Sequence, residues 1–318
     1  MYRSIVVPLD GSAFGKRAVP VALSLARRDH AVVRLVHVHE PVAYAAGDPI
    51  YVSTHVDELR RTMRTDLTAL AARLTREALL QVDAEFLDGF VVPTLERYLA
   101  GRSADLVVMM THGWGGVRRA WLGSVADGLV RQSPVPVLLV RAGAEWPGNL
   151  IEPLFRRVLV PLDGSGMAEE VLDHVVRLGG TSEATTYTLL TLVLPLPLPL
   201  LDYPEPISES ATGDRYFERQ RDAALAYQSA VAERLRQQCV RVETRVVVHP
   251  RAAEGILQEA EAQQADLIAL ATQGRGTVSR FFLGSVADKV VRGASVPLLV
   301  YRPDHATTAA AEVRSATP

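Results

Sequence analysis

Apolar positions along the chain follow two alternating rhythms, and the whole alternation occurs twice. Short runs such as SIVVP (4–8) and DLVVM (105–109) are apolar without a break, the pattern of strands buried on both faces. Longer stretches space their apolar residues three and four apart. Leu59, Met63, Leu67, Leu70 and Leu74 mark 56–80 as a long amphipathic helix. In the first half the pattern predicts strands over 4–8, 32–39, 82–87, 105–109 and 136–141. It predicts helices over 13–28, 56–80, 92–101 and 124–132, with a loop over 41–55. Pro20 inside the first helix delays or kinks it, and Pro93 suits a first turn. The second half repeats the order. Strands are predicted over 158–161, 186–194, 240–248, 266–271 and 297–302, and helices over 167–178, 216–238, 252–264 and 285–292. Five prolines between 195 and 213 make that segment loop or extended chain. Strands alternating with helices at this spacing imply parallel sheets with right-handed crossovers.

The repetition is literal in two places. RSIVVPLDGS (3–12) and RRVLVPLDGS (156–165) share seven of ten residues at an offset of 153. GWGGVRRAWLGSVAD (113–127) and GRGTVSRFFLGSVAD (274–288) share ten of fifteen at an offset of 161. The second half therefore carries about eight extra residues between the two motifs, where the proline-rich segment lies. A repeat near 155 residues is a whole domain. The reading is one domain over 1–141, a linker over 142–153 (Gly, Pro and Asn between periodic segments), a second domain over 154–303, and a tail over 304–318 without apolar periodicity, expected to be disordered.

Composition narrows this only a little. A hydrophobic content of 48% lets each half bury a core. A net charge of −2 gives no global attraction to nucleic acid or anionic membrane. Cys239 is the single cysteine, so no intrachain disulfide exists, and a reducing compartment fits. The N-terminus runs straight into a strand and lacks the shape of a signal peptide. The apolar run 187–201 is too short and proline-rich for a membrane span. A cytoplasmic location is the expectation.

The candidate chemistry lies where strands one and four end. After strand one, Asp10-Gly11-Ser12 and Asp163-Gly164-Ser165 are turns in which aspartate and serine bond nearby backbone. After strand four comes a glycine-bearing loop, then Gly123-Ser124 or Gly284-Ser285, then a helix. Glycine lets backbone approach a ligand, the serine is expected to cap the helix, and free amides at the helix start favour an anion. Strand, glycine loop and helix N-terminus make a phosphate cradle, present twice. In open parallel sheets, ligands sit beyond the strand C-terminal ends, where strand order reverses.

Other residues carry less. Arg118, Arg119, Arg275 and Arg280 suit phosphate but are more simply surface residues. His112 is matched by Gln273, and His37 and His39 by Thr191 and Val193, which argues against a shared catalytic or metal role. Trp114 and Trp121 are read as packing residues. Serine-hydrolase elbow, zinc-protease and P-loop lysine patterns are absent, and no catalytic residue is named.

Strand-PLDGS, ADL-strand-THG-x9-GSVAD and PVPVLLVR together resemble the universal stress protein family, and two copies over nearly the whole chain resemble a tandem member. The resemblance implies an open, Rossmann-like α/β fold in each half: a parallel five-stranded sheet of order 3-2-1-4-5 with helices on both faces. It also implies that fifth strands pair across a two-fold. Here 136–141 and 297–302 would form that pseudo-dimer within one chain, leaving a homodimer of whole chains open.

ATP-binding members carry G-x2-G-x9-G-[ST] after strand four. The matching positions are Met110, Gly113, Gly123 and Ser124, and Ala271, Gly274, Gly284 and Ser285, so the first glycine is replaced both times. Methionine is the larger replacement, which predicts that the second half binds better. The resemblance further assigns an adenosine contact to Asp10 and Asp163, adenine-reading backbone to Val38 and Leu192, and further amides to Val125 and Val286. A divalent cation, Mg2+ or Mn2+, accompanies the triphosphate in such proteins. The expected function is ATP-dependent regulation in a stress response through unidentified protein partners. The alternatives are a nucleotide-free scaffold and a weak ATPase.

Overall fold

The computed structural model describes residues 1–40, 49–101, 104–111, 122–141, 153–195, 209–238, 240–272 and 283–303, with backbone alone over 49–56 and 209–216. Two compact units emerge, one of Met1–Leu154 with Pro297–Arg302, the other centred on Phe155–Val296. The expected linker (142–152 of it), the tail over 304–318, Cys239, the tryptophans and the loop arginines lie outside the described residues.

In the first unit, strand β1 (Ser4–Pro8) lies between β2 (Val32–His39) and β4 (Leu106–Met110), with β3 (Val82–Asp88) beyond β2 and β5 (Val137–Val140) beyond β4. These five strands are parallel, in the order 3-2-1-4-5. Their uninterrupted apolar runs explain why: Ile5, Val6, Val7, Leu106, Val107 and Val108 are all fully buried, which only a sheet covered on both faces allows. Strand β10 (Leu298–Tyr301) runs antiparallel to β5, with Leu298 opposite Leu139. The expected pairing of the two last strands is present. By unit, the described strands divide six and four rather than five and five, because β10 groups with the first unit.

The second unit repeats the core. Strand β6 (Arg157–Pro161) lies between β7 (Thr186–Val193) and β9 (Leu267–Ala271), with β8 (Arg241–Val248) beyond β7, all parallel.

The aspartate that opens each ADL run is a strand lock. Asp105 Oδ2 accepts the amides of Arg3 (2.7 Å) and Ser4 (2.9 Å), and Asp266 accepts those of Arg156 (2.8 Å) and Arg157 (3.0 Å). Each carboxylate thus pins the start of strand one to the start of strand four.

Helix boundaries differ from the sequence reading in instructive ways. The first predicted helix is two pieces, a 3-10 turn (Gly15–Ala18) and α1 (Val19–Asp29), because Pro20 takes a first-turn position where its missing N–H costs nothing. The second half breaks likewise into α5 (Gly166–Glu169) and α6 (Val171–Gly179). Helices α3 (Val91–Gly101), α4 (Ser124–Gln132), α8 (Ala252–Ala262) and α9 (Ser285–Gly293) fall close to expectation. Helix α2 (Pro49–Ala78) begins inside the predicted loop, and α7 (Glu209–Arg236) begins inside the proline-rich segment. Pro49 fits the first helical position, and Gly213 inside α7 costs only about 1 kcal/mol.

The two cores are not copies. The offset of 161 sets buried Leu67, Ala71 and Leu74 against Gln228, Ala232 and Leu235. Gln228 is fully buried, and its Nε2 lies within 3.0 Å of Leu189 O, Thr191 Oγ1 and Arg245 O, three acceptors for its two N–H groups, which makes a polar residue tolerable where the first unit has leucine. The offset of 153 sets fully buried Val21 against His174. The His174 imidazole is held down to about 4, by burial first and Arg177 second, with Asp173 opposing.

Two outcomes follow. Asp105→Ala or Asp266→Ala removes a charged acceptor from two backbone amides and should cost about 1–3 kcal/mol in urea unfolding, whereas an exposed control such as Asp66→Ala should not. His174 is neutral when folded, and the unfolded chain takes up its proton below about 6.5. Stability contributed by the neutral ring is therefore complete above that pH and lost as pH falls towards about 4. His174→Val should flatten the pH dependence of unfolding across this window, and an unchanged slope would contradict the assignment.

Candidate functional site

Registers fixed by the strand locks bring the candidate residues to one edge of each sheet. Ile5 pairs with Leu106 and Pro8 with Val36, and the ladder continues as Leu9 N–H donates to Val36 O at 2.8 Å. Carried two residues past Pro8 and four past Val6, the same registers set Asp10 level with Val38 on one side and Thr111 on the other. In the second unit Val158 pairs with Leu267 and Pro161 with Leu190, so Asp163 falls level with Leu192 and Thr272. This row crosses the point where strand order reverses between strands one and four, the place where ligands settle in open parallel sheets.

Each turn after strand one is closed by its own side chains. Asp10 Oδ1 accepts Ser12 N–H (2.9 Å) and Ser12 Oγ–H (2.6 Å), and Ser12 Oγ accepts Gly15 N–H (2.9 Å). Asp163 Oδ1 accepts the same two groups of Ser165 (3.0 and 2.6 Å), and Ser165 Oγ accepts Ala168 N–H (3.2 Å). Gly11 and Gly164 stand between them at φ of +85° and +82°, where a side chain would be strained. The aspartates thus hold their turns. They are also exposed at the edge, so the local role does not consume the residue.

At the other side of the row stands a helix N-terminus. Thr111 O accepts Gly123 N–H and Thr272 O accepts Gly284 N–H, both at 2.8 Å, which ties the helix start to the strand end. The caps are Gly123 (φ −61°, ψ 150°) and Gly284 (φ −56°, ψ 145°), not the serines, because the serines already occupy the first helical position. Neither glycine makes a side-chain cap, and neither conformation requires glycine. Asp127 N–H to Gly123 O and Asp288 N–H to Gly284 O are the first bonds within each helix. The helices therefore provide no partner for the amides of Ser124, Val125 and Ala126, or of Ser285, Val286 and Ala287. Ser124, Ser285 and Val286 are exposed. Three amides without helical partners and the positive end of a helix dipole suit an anion.

Val38 is buried and Leu192 half-buried, each on the second strand beside the row. Met110 is buried and paired with Val140, while Ala271 is half-buried. Gly113 and Gly274 lie outside the described residues, as does His112. Thr111 and Thr272, buried to 1% and 2%, were not singled out in the sequence. Their shared place between strand and glycine loop was the available signal.

The surroundings differ between units. Beside Asp163, Tyr227 of α7 and Glu169 of α5 meet, and Arg234 pairs with Glu169. The Tyr227 phenol is pushed above its ordinary range by burial first, then by the carboxylates of Glu169 and Asp163, with Arg234 opposing. Beside Asp10 the nearest described side chain over Gly11 is Met63. Among the described residues, no group of three or more acidic, His or Cys side chains is arranged for a metal ion.

The profile of the universal stress protein family matches residues 1–141 and again 154–302. A universal stress protein of Mycolicibacterium smegmatis is 29% identical over 308 residues, covering 94% of this chain and 97% of its own. One of Thermus aquaticus is 35% identical over 142 residues, all of its length and 44% of this chain. The crystal structure of a universal stress protein from Archaeoglobus fulgidus superposes with a TM-score of 0.65 at 19% identity, covering 94% of this chain and 98% of that one, which shows the shared fold.

Aspartate is a favoured N-cap and the cap dihedrals accept it, so Gly123→Asp and Gly284→Asp should fold with stability within about 0.5 kcal/mol of the parent. Each places a carboxylate at the anion position. Calorimetry with inorganic tripolyphosphate should show affinity reduced about tenfold or more at that site. Undiminished binding in the double variant would remove the helix N-termini from the site.

Proposed function

Because the chain belongs to the universal stress protein family over residues 1–141 and 154–302, we propose that it is an ATP-binding regulatory protein rather than a dedicated catalyst. The observation that carries this reading is the row at the edge of each sheet: an aspartate turn, the end of the second strand, and a helix N-terminus with three amides without helical partners. In this reading Asp10 or Asp163 contacts the adenosine, the backbone at Val38 or Leu192 meets the base, and Gly123-Ser124-Val125 or Gly284-Ser285-Val286 receives the phosphates. Ala271 ends the fourth strand of the second unit, and Gly113 and Gly274 belong to the same motif in the sequence. Mg2+ or Mn2+ would arrive with the triphosphate, whose oxygens supply its ligands together with water, since the described residues offer no carboxylate cluster of their own.

Three features favour regulation over catalysis. The sequence carries no hydrolase elbow, zinc-protease or P-loop lysine pattern, so hydrolysis would be slow and driven by positioning alone. Asp10 and Asp163, the carboxylates on the row, each already accept two hydrogen bonds from their own turns. In this reading occupancy of the phosphate end changes the surface offered to protein partners. No helix among the described residues is long and apolar enough to cross a membrane.

Mass spectrometry of small molecules released from purified protein, with calorimetry using Mg2+ and ATP, tests the reading. Adenine nucleotide in the released fraction or saturable binding is expected. Absence of both would leave the scaffold reading, in which the same fold acts through protein contacts only.

A further inference from the structure

The two turns that hold Asp10 and Asp163 are superimposable in their hydrogen bonds, and this fixes which residues correspond. Ser12 Oγ accepts Gly15 N–H, and Ser165 Oγ accepts Ala168 N–H, both at the offset of 153. The next two residues are then Lys16 and Arg17 in the first unit, and Glu169 and Glu170 in the second. The same two steps after the same turn are both cationic in one copy and both anionic in the other. Lys16 and Arg17 are exposed, and Arg17 lies 5.8 Å over the Phe14 ring. Glu169 and Glu170 are half-buried. Glu169 is partly offset by Arg234, yet the set of Asp163, Glu169, Glu170 and Arg234 remains net negative by two charges. Asp10, Lys16 and Arg17 together are net positive by one.

These residues follow the aspartate by six and seven positions, and the chain that carries them lies against the turn: a carbon added at Gly15, the residue before Lys16, would stand 2.8 Å from Asp10 Oδ1, and the carboxylates of Glu169 and Asp163 both act on the Tyr227 phenol. A polyphosphate arriving at the edge is drawn to the first unit and repelled by the second.

We propose that the units are specialised by charge: the first takes the polyanionic nucleotide, ATP, and the second takes an adenosine ligand of low charge. This rests on the nucleotide reading above. It reverses the order expected from Met110 and Ala271 alone. Methionine at 110 is a buried strand residue paired with Val140, whereas the charge difference acts on every phosphate.

The test uses the full chain carrying either Gly284→Asp, to read the first unit, or Gly123→Asp, to read the second. Each is titrated with ATP and with adenosine at 50 and 300 mM NaCl. The first unit should prefer ATP about tenfold or more at low salt, with the preference collapsing at high salt, and the second should prefer adenosine. Lys16→Glu with Arg17→Glu should erase the first unit's preference. These substitutions are compatible with the fold because the second unit carries the same pair in the same hydrogen-bonded turn. Glu170→Lys, which spares the Glu169–Arg234 pair, should raise ATP affinity of the second unit. Equal ligand preferences in both units, or a second unit that prefers ATP, would overturn the specialisation while leaving nucleotide binding intact. Binding of neither ligand by the parent chain would instead overturn the nucleotide reading, and the specialisation with it.

Discussion

Everything at the C-terminal edge of each set of parallel strands depends on a carboxylate at the opposite edge. Parallel strands can slide by a residue, and a slip of one turns every side chain to the other face. Asp105 and Asp266 each remove that freedom by taking two backbone amides from the start of strand one, which fixes its register against strand four. Five residues later the consequence appears. The aspartate turn, the end of strand two and the start of the helix after strand four reach the same level. The burial of both sheet faces leaves that edge as the place where backbone groups face outward, and the helix termini there leave three amides without helical partners.

The duplication keeps this frame and varies what surrounds it. Locks, turns and glycine caps recur at constant offsets with nearly identical hydrogen-bond lengths. Around them the second unit buries Gln228 for Leu67 and His174 for Val21, and places Glu169 and Glu170 for Lys16 and Arg17. Gln228 is affordable because its amide finds three acceptors on two strands. A frame held by backbone contacts tolerates such changes, since none of the substituted side chains takes part in setting the register.

Much of this was legible in the amino-acid sequence, for reasons specific to each element. Buried parallel strands are short unbroken apolar runs, so β1, β4, β6 and β9 stand out, and internal repetition settled which were equivalent. The turns were legible because Asp-Gly-Ser has few ways to satisfy itself. Helix starts were less so. Pro49 and Gly213 are usual breakers, yet Pro49 fits a first turn and Gly213 is carried by the length of α7. Ser124 and Ser285 have the chemistry of caps, but the cap position went to the preceding glycine, which the strand end holds through Thr111 and Thr272. The partnership of Tyr227 with Glu169 joins residues far apart in sequence and had no local signature. The glycine-loop members Gly113 and Gly274 lie outside the described residues.

The central claim is that a phosphate-bearing ligand rests on the free amides at the starts of α4 and α9. Amide NMR of the full chain, recorded with and without Mg2+ and ATP, reads those groups individually. The account predicts shifts concentrated at Ser124, Val125 and Ala126, extending to Ser285, Val286 and Ala287 at higher concentration. Unmoved amides at both helix starts, with ATP bound elsewhere on the chain, would contradict it.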